Sequence, residues 1–362
     1  MLRIPRYLVS NALLATSGED LHELLQYAIQ LEHATVPPYL TAWYSIKNPS
    51  MSPNNKAASI LRHVVIEEML HLTIVANVLN SVNGDPKLNY PEFIPKYPDN
   101  LPFDIGEGVI VNLEPLSKEL VERTFLKIEE PENPIEFPSR LNQFSEGTLD
   151  ISAEGETGFA TIGEFYAAII MKIQELGDAI FTGDPEKQAT SAFFSDSLLF
   201  PIHNVETAVQ ALQIIIKQGE GSTSSPQDDT DGGLAHYYQF EQIVQGHELV
   251  MNPGSENGYS YTGDEIEIDP DEIFDLVINS KASQYKEGSD ARNAVDSFNK
   301  TYSKLLNDLE LAFGGQPQTL DSTISGMFSL STQARNMMDL QVSTPDGGKH
   351  VAPSFEYMNT NI

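Results

Sequence analysis

The chain contains no cysteine among its 362 residues. Without thiols it cannot form disulfides, zinc–thiolate sites, iron–sulfur clusters or a thiol nucleophile. Basic residues are also scarce, because 21 Lys and Arg stand against 52 Asp and Glu, for a formal net charge of −31. A nucleic acid or an anionic membrane would require a basic surface, so we expect neither as a partner. The length suffices for one large or two medium domains with a sizeable core.

Signals for targeting and membrane insertion are also missing. The N-terminal segment carries Arg3 and Arg6 but lacks a continuous apolar core of signal-peptide length. We find no apolar stretch that we expect to span a bilayer. The sequence therefore predicts a cytoplasmic protein.

The first long helical pattern buries a carboxylate. It is capped near Ser17 and runs to about Ile46, and one face repeats apolar side chains at i, i+3 and i+4 spacing. Glu32 lies on this face, where a charge is costly unless a cation compensates it. Pro37 and Pro38 predict a kink just beyond Glu32, or a break and restart of the helix. The face comprises Leu21, Leu25, Ala28, Glu32, Thr35 and Tyr39.

The second helical pattern starts after Pro53 and ends at Asn83-Gly84. Glu68 and His71 lie one turn apart on its apolar face and point the same way. This face comprises Leu61, Val64, Glu68, His71, Val75 and Val78.

The turn between the two patterns should bring Glu32 and Glu68 to the same level of an antiparallel hairpin. A Glu on one helix that faces Glu-x-x-His on its neighbour is half of the ligand set of di-iron and di-manganese helix bundles. A lone Glu-x-x-His is more often a surface pair, but the matched Glu32 and the two apolar faces favour a metal site. Glu67 falls on a neighbouring face, so we expect metal binding to survive its loss. Iron is the first expectation, with one or two ions per chain, and manganese and zinc are alternatives.

The remaining helical patterns predict an all-α, ferritin-like four-helix bundle. Its third helix spans about 161–181 and its fourth about 202–218, and a further helix starts at Leu234. Residues 85–159, rich in Pro, Asn, Asp and Gly, are too long for a bare loop, so we expect a crossover with structure of its own.

That crossover should carry a short extended segment at 108–113 and a short helix at 117–127. Two amphipathic C-terminal helices are expected at about 290–313 and 320–340. The predicted organisation has two regions: residues 1–250, the bundle with its inserted crossover 85–159, and residues 251–362, an acidic loop and C-terminal helices that pack on the same domain.

Further metal ligands must come from the other helices. Glu164 lies near the start of the third helix and Glu220 at the end of the fourth, and antiparallel neighbours bring these two ends together. His236 begins the next helix and could fold back to the same place. Glu206 and Glu175 are competitors, because Glu206 shares a polar face with Glu220, and Glu175 shares a stripe with Glu164. The residues alone leave this choice open.

Six short motifs are spread over the chain from about Asp20 to Phe355. They are Ile66-Glu-Glu-Met-Leu-His-Leu, Tyr90-Pro-Glu-Phe, Thr161-Ile-Gly-Glu-Phe-Tyr, Gln218-Gly-Glu-Gly, Ala235-His-Tyr-Tyr-Gln-Phe and Ala352-Pro-Ser-Phe-Glu. Together they resemble the ferritin-like domain of the iminophenyl-pyruvate dimer synthase family. Those enzymes couple two molecules of an amino-acid-derived imine oxidatively in bisindole pathways such as those of violacein and rebeccamycin.

The resemblance implies a fuller ligand set and an activity. It favours Glu220 over Glu206, and it implies that the metal ligands are Glu32, Glu68, His71, Glu164, Glu220 and His236. We therefore expect an iron-dependent oxidoreductase of secondary metabolism that acts on a small organic substrate, with a homodimer or a pathway enzyme as a compatible partner. No catalytic residue and no organic cofactor are assigned.

Two other interpretations of the same fold stay open. The alternative from another class is a non-catalytic metal-binding or storage protein, although the insertion at 85–159 should obstruct packing into a storage cage. In a third, the metal only stabilises the bundle. Around the site, Tyr39, Tyr166 and Tyr237 could line a pocket, although buried packing is the commoner role. His33 and His63 are expected at the surface or around the ligands.

Overall fold

The computed structural model describes residues 4–102, 109–131, 134–135, 159–160, 162–221, 225–228, 230, 232–344 and 347–359. This part of the chain is mostly helical, as predicted, and it also contains small two-stranded antiparallel sheets that the all-α prediction omits. The α-helices are α1 (Arg6–Leu14), α2 (His22–Tyr44), α3 (Asn55–Ser81), α4 (Lys118–Leu120), α5 (Leu126–Glu129), α6 (Ile162–Leu176), α7 (Val205–Glu220), α8 (His236–Gln245), α9 (Asp290–Phe313) and α10 (Leu320–Met338). The strands pair as β1 (Ile4–Pro5) with β2 (Phe159–Ala160), β3 (His247–Met251) with β4 (Tyr259–Glu265), and β5 (Gln341–Thr344) with β6 (Gly347–His350).

The hairpin of α2 and α3 is the centre of the fold. The two helices pack along each other, α7 contacts α3, and α6 packs on α7. The apolar faces predicted for the hairpin are buried, as Leu25 and Ala28 of α2 and Leu61 and Val64 of α3 show. The faces predicted from helical periodicity are therefore buried, together with most of the other residues of both helices.

α2 continues through Pro37 and Pro38 to Tyr44. Proline has no N–H, so the carbonyl four residues earlier loses its helical hydrogen bond. The hydroxyl of Tyr97 donates to the carbonyl oxygen of Ala34 at 2.7 Å and so replaces the bond that Pro38 cannot make. Of the two outcomes predicted for this diproline, the break and restart is therefore wrong.

The helical part of the crossover extends from Lys118 to Glu129. It consists of α4, a π-helical turn at Val121–Phe125, and α5. Ser117 caps its start, because the side chain accepts a hydrogen bond from the Leu120 N–H. In the segment predicted to be extended, Val111 pairs with Asp99 in an isolated bridge, and residue 108 lies outside the described residues, as do 136–158 further along the crossover.

The C-terminal helices share one apolar core with the hairpin. This core includes residues from Leu8 to Phe355 in the sequence. α9 contacts α3 and α10 contacts α2. The division into residues 1–250 and 251–362 stays a prediction.

By length and composition alone, α3 is apolar enough to cross a membrane, which we did not expect from the sequence. The helices α2, α7, α8 and α9 contact it, and 94% of its most apolar window is buried inside the protein. A core helix and a membrane span pass the same test of composition, so this property has a structural explanation in the packing of α3.

Candidate metal centre

Glu32, Glu68 and His71 meet inside the hairpin of α2 and α3. Nδ1 of His71 lies 3.4 Å from Oε2 of Glu32. One potential ligand atom from each of the three residues lies within 4.8 Å of the others, and all three side chains are buried. The structure thus brings together the three residues on which the helical spacing argument rested.

Glu68 also belongs to a second group, with Glu129 and His236. Nδ1 of His236 lies 3.1 Å from Oε1 of Glu68 and 3.5 Å from Oε2 of Glu129. These side chains are buried as well, and their potential ligand atoms satisfy the same 4.8 Å limit. Two buried Glu/His groups are therefore joined by one shared carboxylate, and α8 supplies His236 as expected.

The sequence analysis missed Glu129, the last residue of α5. Val121 and Phe125 precede it at four-residue intervals and are buried, so the signal that identified Glu32, a carboxylate on an apolar face, is present here too. However, the chain passes through the π-helical turn at Val121–Phe125, which changes the rotation per residue. A face drawn with regular α-helical periodicity therefore predicts the direction of Glu129 poorly. Such turns are frequent at functional sites.

A buried tyrosine is hydrogen-bonded to each outer carboxylate, that is, to each of the two carboxylates, Glu32 and Glu129, that belong to only one group. The hydroxyl of Tyr166 donates to Oε1 of Glu32, and the hydroxyl of Tyr39 donates to Oε1 of Glu129 at 2.5 Å. In both carboxylates the other oxygen, Oε2, is the one near an imidazole. Tyr237 instead packs edge-on against Tyr238, with ring centroids 5.1 Å apart, in a separate apolar cluster. Two of the three tyrosines proposed to surround the site therefore contact it directly.

The far nitrogens of both imidazoles are bonded to side chains outside the two groups. Nε2 of His71 lies 2.9 Å from Oε1 of Gln218, and Nε2 of His236 lies 3.1 Å from Oε2 of Glu67. Both oxygens accept, so Nε2 carries the proton and Nδ1 is left as the ligand atom. Helical spacing predicts Glu67 on a face beside the site; the structure buries this side chain against His236, because α8 packs on that face of α3.

Burial shifts the protonation of these groups. It raises the pKa of Glu68 to about 7, an effect that the nearby imidazole of His236 only partly offsets. Burial alone would lower the pKa of His236, but the nearby carboxylates of Glu129, Glu67 and Glu68 hold that pKa well above the ordinary value. In the same way, contact with a carboxylate outweighs burial and raises the pKa of His71. The cluster therefore holds protons that a bound cation would displace.

The donor set fits a pair of divalent metal ions. Four carboxylates, of Glu32, Glu67, Glu68 and Glu129, surround two imidazoles in the interior, which is unfavourable without positive charge. Within the described part of the chain, Nδ1 of His236 makes no hydrogen bond although two carboxylate oxygens lie within 3.5 Å. Donor atoms about 3 Å apart have the separation expected when each lies about 2 Å from one ion. Oxygen and imidazole donors without thiolate suit iron, manganese and zinc.

Glu164 is a predicted ligand that lies in neither group. Its side chain is exposed on α6, whereas Tyr166, two residues later, is buried against Glu32. Successive residues of an α-helix are rotated by about 100°, so a helix that turns Tyr166 inward turns Glu164 away. The contribution of α6 to the site that the structure shows is a hydrogen-bonding tyrosine, and Glu164 as a ligand stays a prediction.

Glu220 is the last residue of α7, and its side chain lies outside the described part of the structure, so its role as a ligand stays a prediction. The competitor Glu206 is exposed in the first turn of α7. Glu175 is exposed too, and it pairs with Lys172 at 2.7 Å. Neither competitor belongs to the two groups. Among the described side chains of α7, Gln218 is hydrogen-bonded to His71.

His33 and His63, the two histidines expected at the surface or around the ligands, differ in their surroundings. His33 is buried, its Nε2 lies 2.5 Å from the hydroxyl of Tyr302, and burial lowers the pKa of His33 to about 3. The side chain of His63 is 46% exposed, and its Nε2 lies 3.5 Å from Oε2 of Glu67. Of the two, His63 therefore contacts the site, through Glu67.

A cavity of about 40 Å³ lies beside the two groups. One water needs roughly 10–15 Å³ of such space, so the cavity has room for about three waters or for a diatomic molecule. Gly219 forms part of its wall, and apart from its two chain neighbours and the backbone of α7, no heavy atom of the described residues lies within 4 Å of the position that a Cβ would take there. The apolar part of the wall consists of Leu31, Ile128, Ile162, Ile215 and Ile216.

Packed helices around two linked Glu/His groups define a helical protein whose interior could hold metal. The ferritin-like family model matches residues 25–245, more than half of the chain. The chain belongs to the ferritin-like family. A solved structure described as a ferritin-like protein from Caulobacter vibrioides has a similar fold, with a TM-score of 0.58 and 22% sequence identity over 93% of this chain and 97% of that chain. No curated protein matches the sequence.

Proposed function

We propose that the protein is a metal-dependent oxidoreductase of the ferritin-like type that acts on a small organic substrate. The observation that carries this proposal is the position of Glu68 between the two Glu/His groups. Glu32 and His71 would hold one ion, Glu129 and His236 would hold the other, and Glu68 would bridge them. We assign α2, α3, α6 and α7 to the predicted four-helix bundle.

Iron is the metal that we propose first. When bound, it would supply electron transfer between the substrate and an oxidant such as dioxygen or peroxide. Tyr166 and Tyr39 hold the carboxylates of Glu32 and Glu129 by hydrogen bonds, which keeps the donors in place before metal arrives. The apolar wall limits the access of water, and the cavity has room for an oxidant of diatomic size.

The proposed reaction is an oxidative coupling of amino-acid-derived imines, and its support is the set of motifs that resemble the iminophenyl-pyruvate dimer synthases. Three residues within those motifs, Glu68, His71 and His236, lie together in the interior. An aromatic imine is larger than a cavity of about 40 Å³, since pockets for such ligands commonly measure about 300–1,000 Å³. Side chains of the wall must therefore move when such a substrate binds.

The same small cavity favours a second candidate, a protein that binds or stores metal without an organic substrate. An ion and an oxidant would need no larger space. The two candidates share the metal centre, so they are separated by activity and not by metal content.

Metal content tests the centre itself. Metal-free protein loaded anaerobically with Fe(II), Mn(II) or Zn(II) should bind two ions per chain, one at each group. Glu68→Ala should lose both ions, and His71→Ala should lose one. Glu206→Ala, which removes an exposed carboxylate that lies in neither group, should retain both. A wild-type protein that takes up no metal and gains no thermal stability from any of these ions overturns the proposal.

Turnover then separates the candidates. The iron-loaded protein is exposed to dioxygen or peroxide with indole-3-pyruvate imine and related keto-acid imines, and product formation is compared with plain oxidation of Fe(II). Coupled imine products support the oxidoreductase. If iron is oxidised and mineralised while no organic substrate changes the spectrum of the metal, storage replaces it.

A further inference from the structure

The two halves of the centre are built from the same kinds of residue, but they differ in the number of carboxylates close to Nδ1 and in the partner of Nε2. Each outer carboxylate accepts a tyrosine hydroxyl, and each imidazole directs Nδ1 toward the carboxylates. The partners of Nε2 differ, because His71 bonds to the neutral amide of Gln218 and His236 bonds to the carboxylate of Glu67. The Nε2 contact is therefore a difference in charge behind the imidazole, outside the two groups.

A carboxylate behind an imidazole strengthens it as a metal ligand. It attracts the Nε2 proton, which increases the electron density on Nδ1, and it adds negative charge near the ion. An amide oxygen accepts the same proton but carries no net charge. Glu67 is 4% exposed and its Oε1 has no hydrogen-bond partner among the described residues, so water screens its charge only weakly.

We infer that the two metal positions are unequal: the position of Glu129 and His236 binds its ion first and more tightly, because Glu67 supports it, and the position of Glu32 and His71 fills second. The inference rests on the proposed two-ion centre. Glu67 and Gln218 act here as positioning residues that set the order of loading.

Gln218 lies in the last turn of α7 and Glu67 in the middle of α3, so the two contacts can be altered separately. Glu67→Gln and Gln218→Glu each exchange one carboxylate for an amide, or the reverse, at nearly constant size. Together they form a reciprocal pair of variants, and Glu206→Gln, on the exposed side of α7, is the matched control.

The test is titration of the metal-free protein with Co(II) alone. Calorimetry measures the affinity of each binding step, and the visible absorption spectrum is recorded after each equivalent of Co(II). Wild type should bind in two steps that differ at least tenfold in affinity. Glu67→Gln should weaken the tighter step by roughly 10–100-fold and change the absorption of the first equivalent, while the other step stays within about threefold. Gln218→Glu should tighten the weaker step, and the control should match wild type.

Three results overturn the inference alone: two equal steps in wild type, equal weakening of both steps by Glu67→Gln, or no effect of Gln218→Glu. A general loss of folding would affect both steps of a variant together, whereas the expected effects are opposite in direction and confined to one step each. If wild type binds no Co(II), the proposed metal centre fails and this inference fails with it.

Discussion

Glu68→Gln in the metal-free protein isolates the cost of burying the shared carboxylate. Burial raises the pKa of Glu68 from 4.5 to about 7. Between these values the folded protein retains a proton that the unfolded chain has released, so stability falls as pH rises through this window and the full cost is present above pH 7. At about 1.4 kcal/mol per pH unit, that cost reaches about 3 kcal/mol at pH 8, against about 1 kcal/mol at pH 5.5.

Glutamine keeps the size of the side chain and removes the charge. We therefore expect metal-free Glu68→Gln to exceed wild type in free energy of unfolding by about 3 kcal/mol at pH 8 and by about 1 kcal/mol at pH 5.5. The measurement is urea denaturation after a chelator has removed any metal. Circular dichroism and the fluorescence of Trp43, the single tryptophan, monitor the unfolding. Glu206→Gln is the control, because this carboxylate is exposed.

The variant and wild type must be compared at each pH, because His33 opposes the trend. Its pKa is lowered to about 3, so the folded protein leaves it neutral while the unfolded chain protonates it below about pH 6.5, and stability falls on acidification. The difference between the two proteins removes this contribution. An advantage of the variant that is equal at both pH values, or a variant less stable than wild type at pH 8, would refute the reasoning.

Three further predictions follow from single contacts. Tyr97→Phe leaves the buried carbonyl of Ala34 without a donor and should lower the free energy of unfolding by about 1–3 kcal/mol in urea denaturation; an unchanged midpoint would contradict the role of Tyr97 at the diproline. Gly219→Leu should fill the cavity and slow the oxidation of bound Fe(II) by dioxygen, with iron content unchanged; equal rates would mean that the oxidant takes another route. Tyr166→Phe frees the carboxylate of Glu32 and should weaken one Co(II) step about tenfold in equilibrium dialysis, and equal affinities would show that this hydrogen bond does not position the ligand.

The sequence by itself determined the helical hairpin and the first group of the centre. Helical periodicity decides which side chains of one helix share a face, so a carboxylate among apolar residues could be recognised at Glu32 and at Glu68. Glu-x-x-His placed His71 beside Glu68 for the same reason, since three residues make nearly one turn. These relations are local, and they hold whatever the rest of the chain does. His236 could be named as a candidate, but periodicity within its own helix said nothing about its distance from α3.

The tertiary structure decided the features that depend on how helices are rotated and what packs beside them. The rotation of α6 turns Tyr166 inward and Glu164 outward, and a π-helical turn directs Glu129 to the centre. Glu67 became part of the site because α8 packs on its face of α3. The interior of a folded protein is assembled from residues far apart in the chain. The helical periodicity of one segment does not predict which residues of other segments will lie next to it.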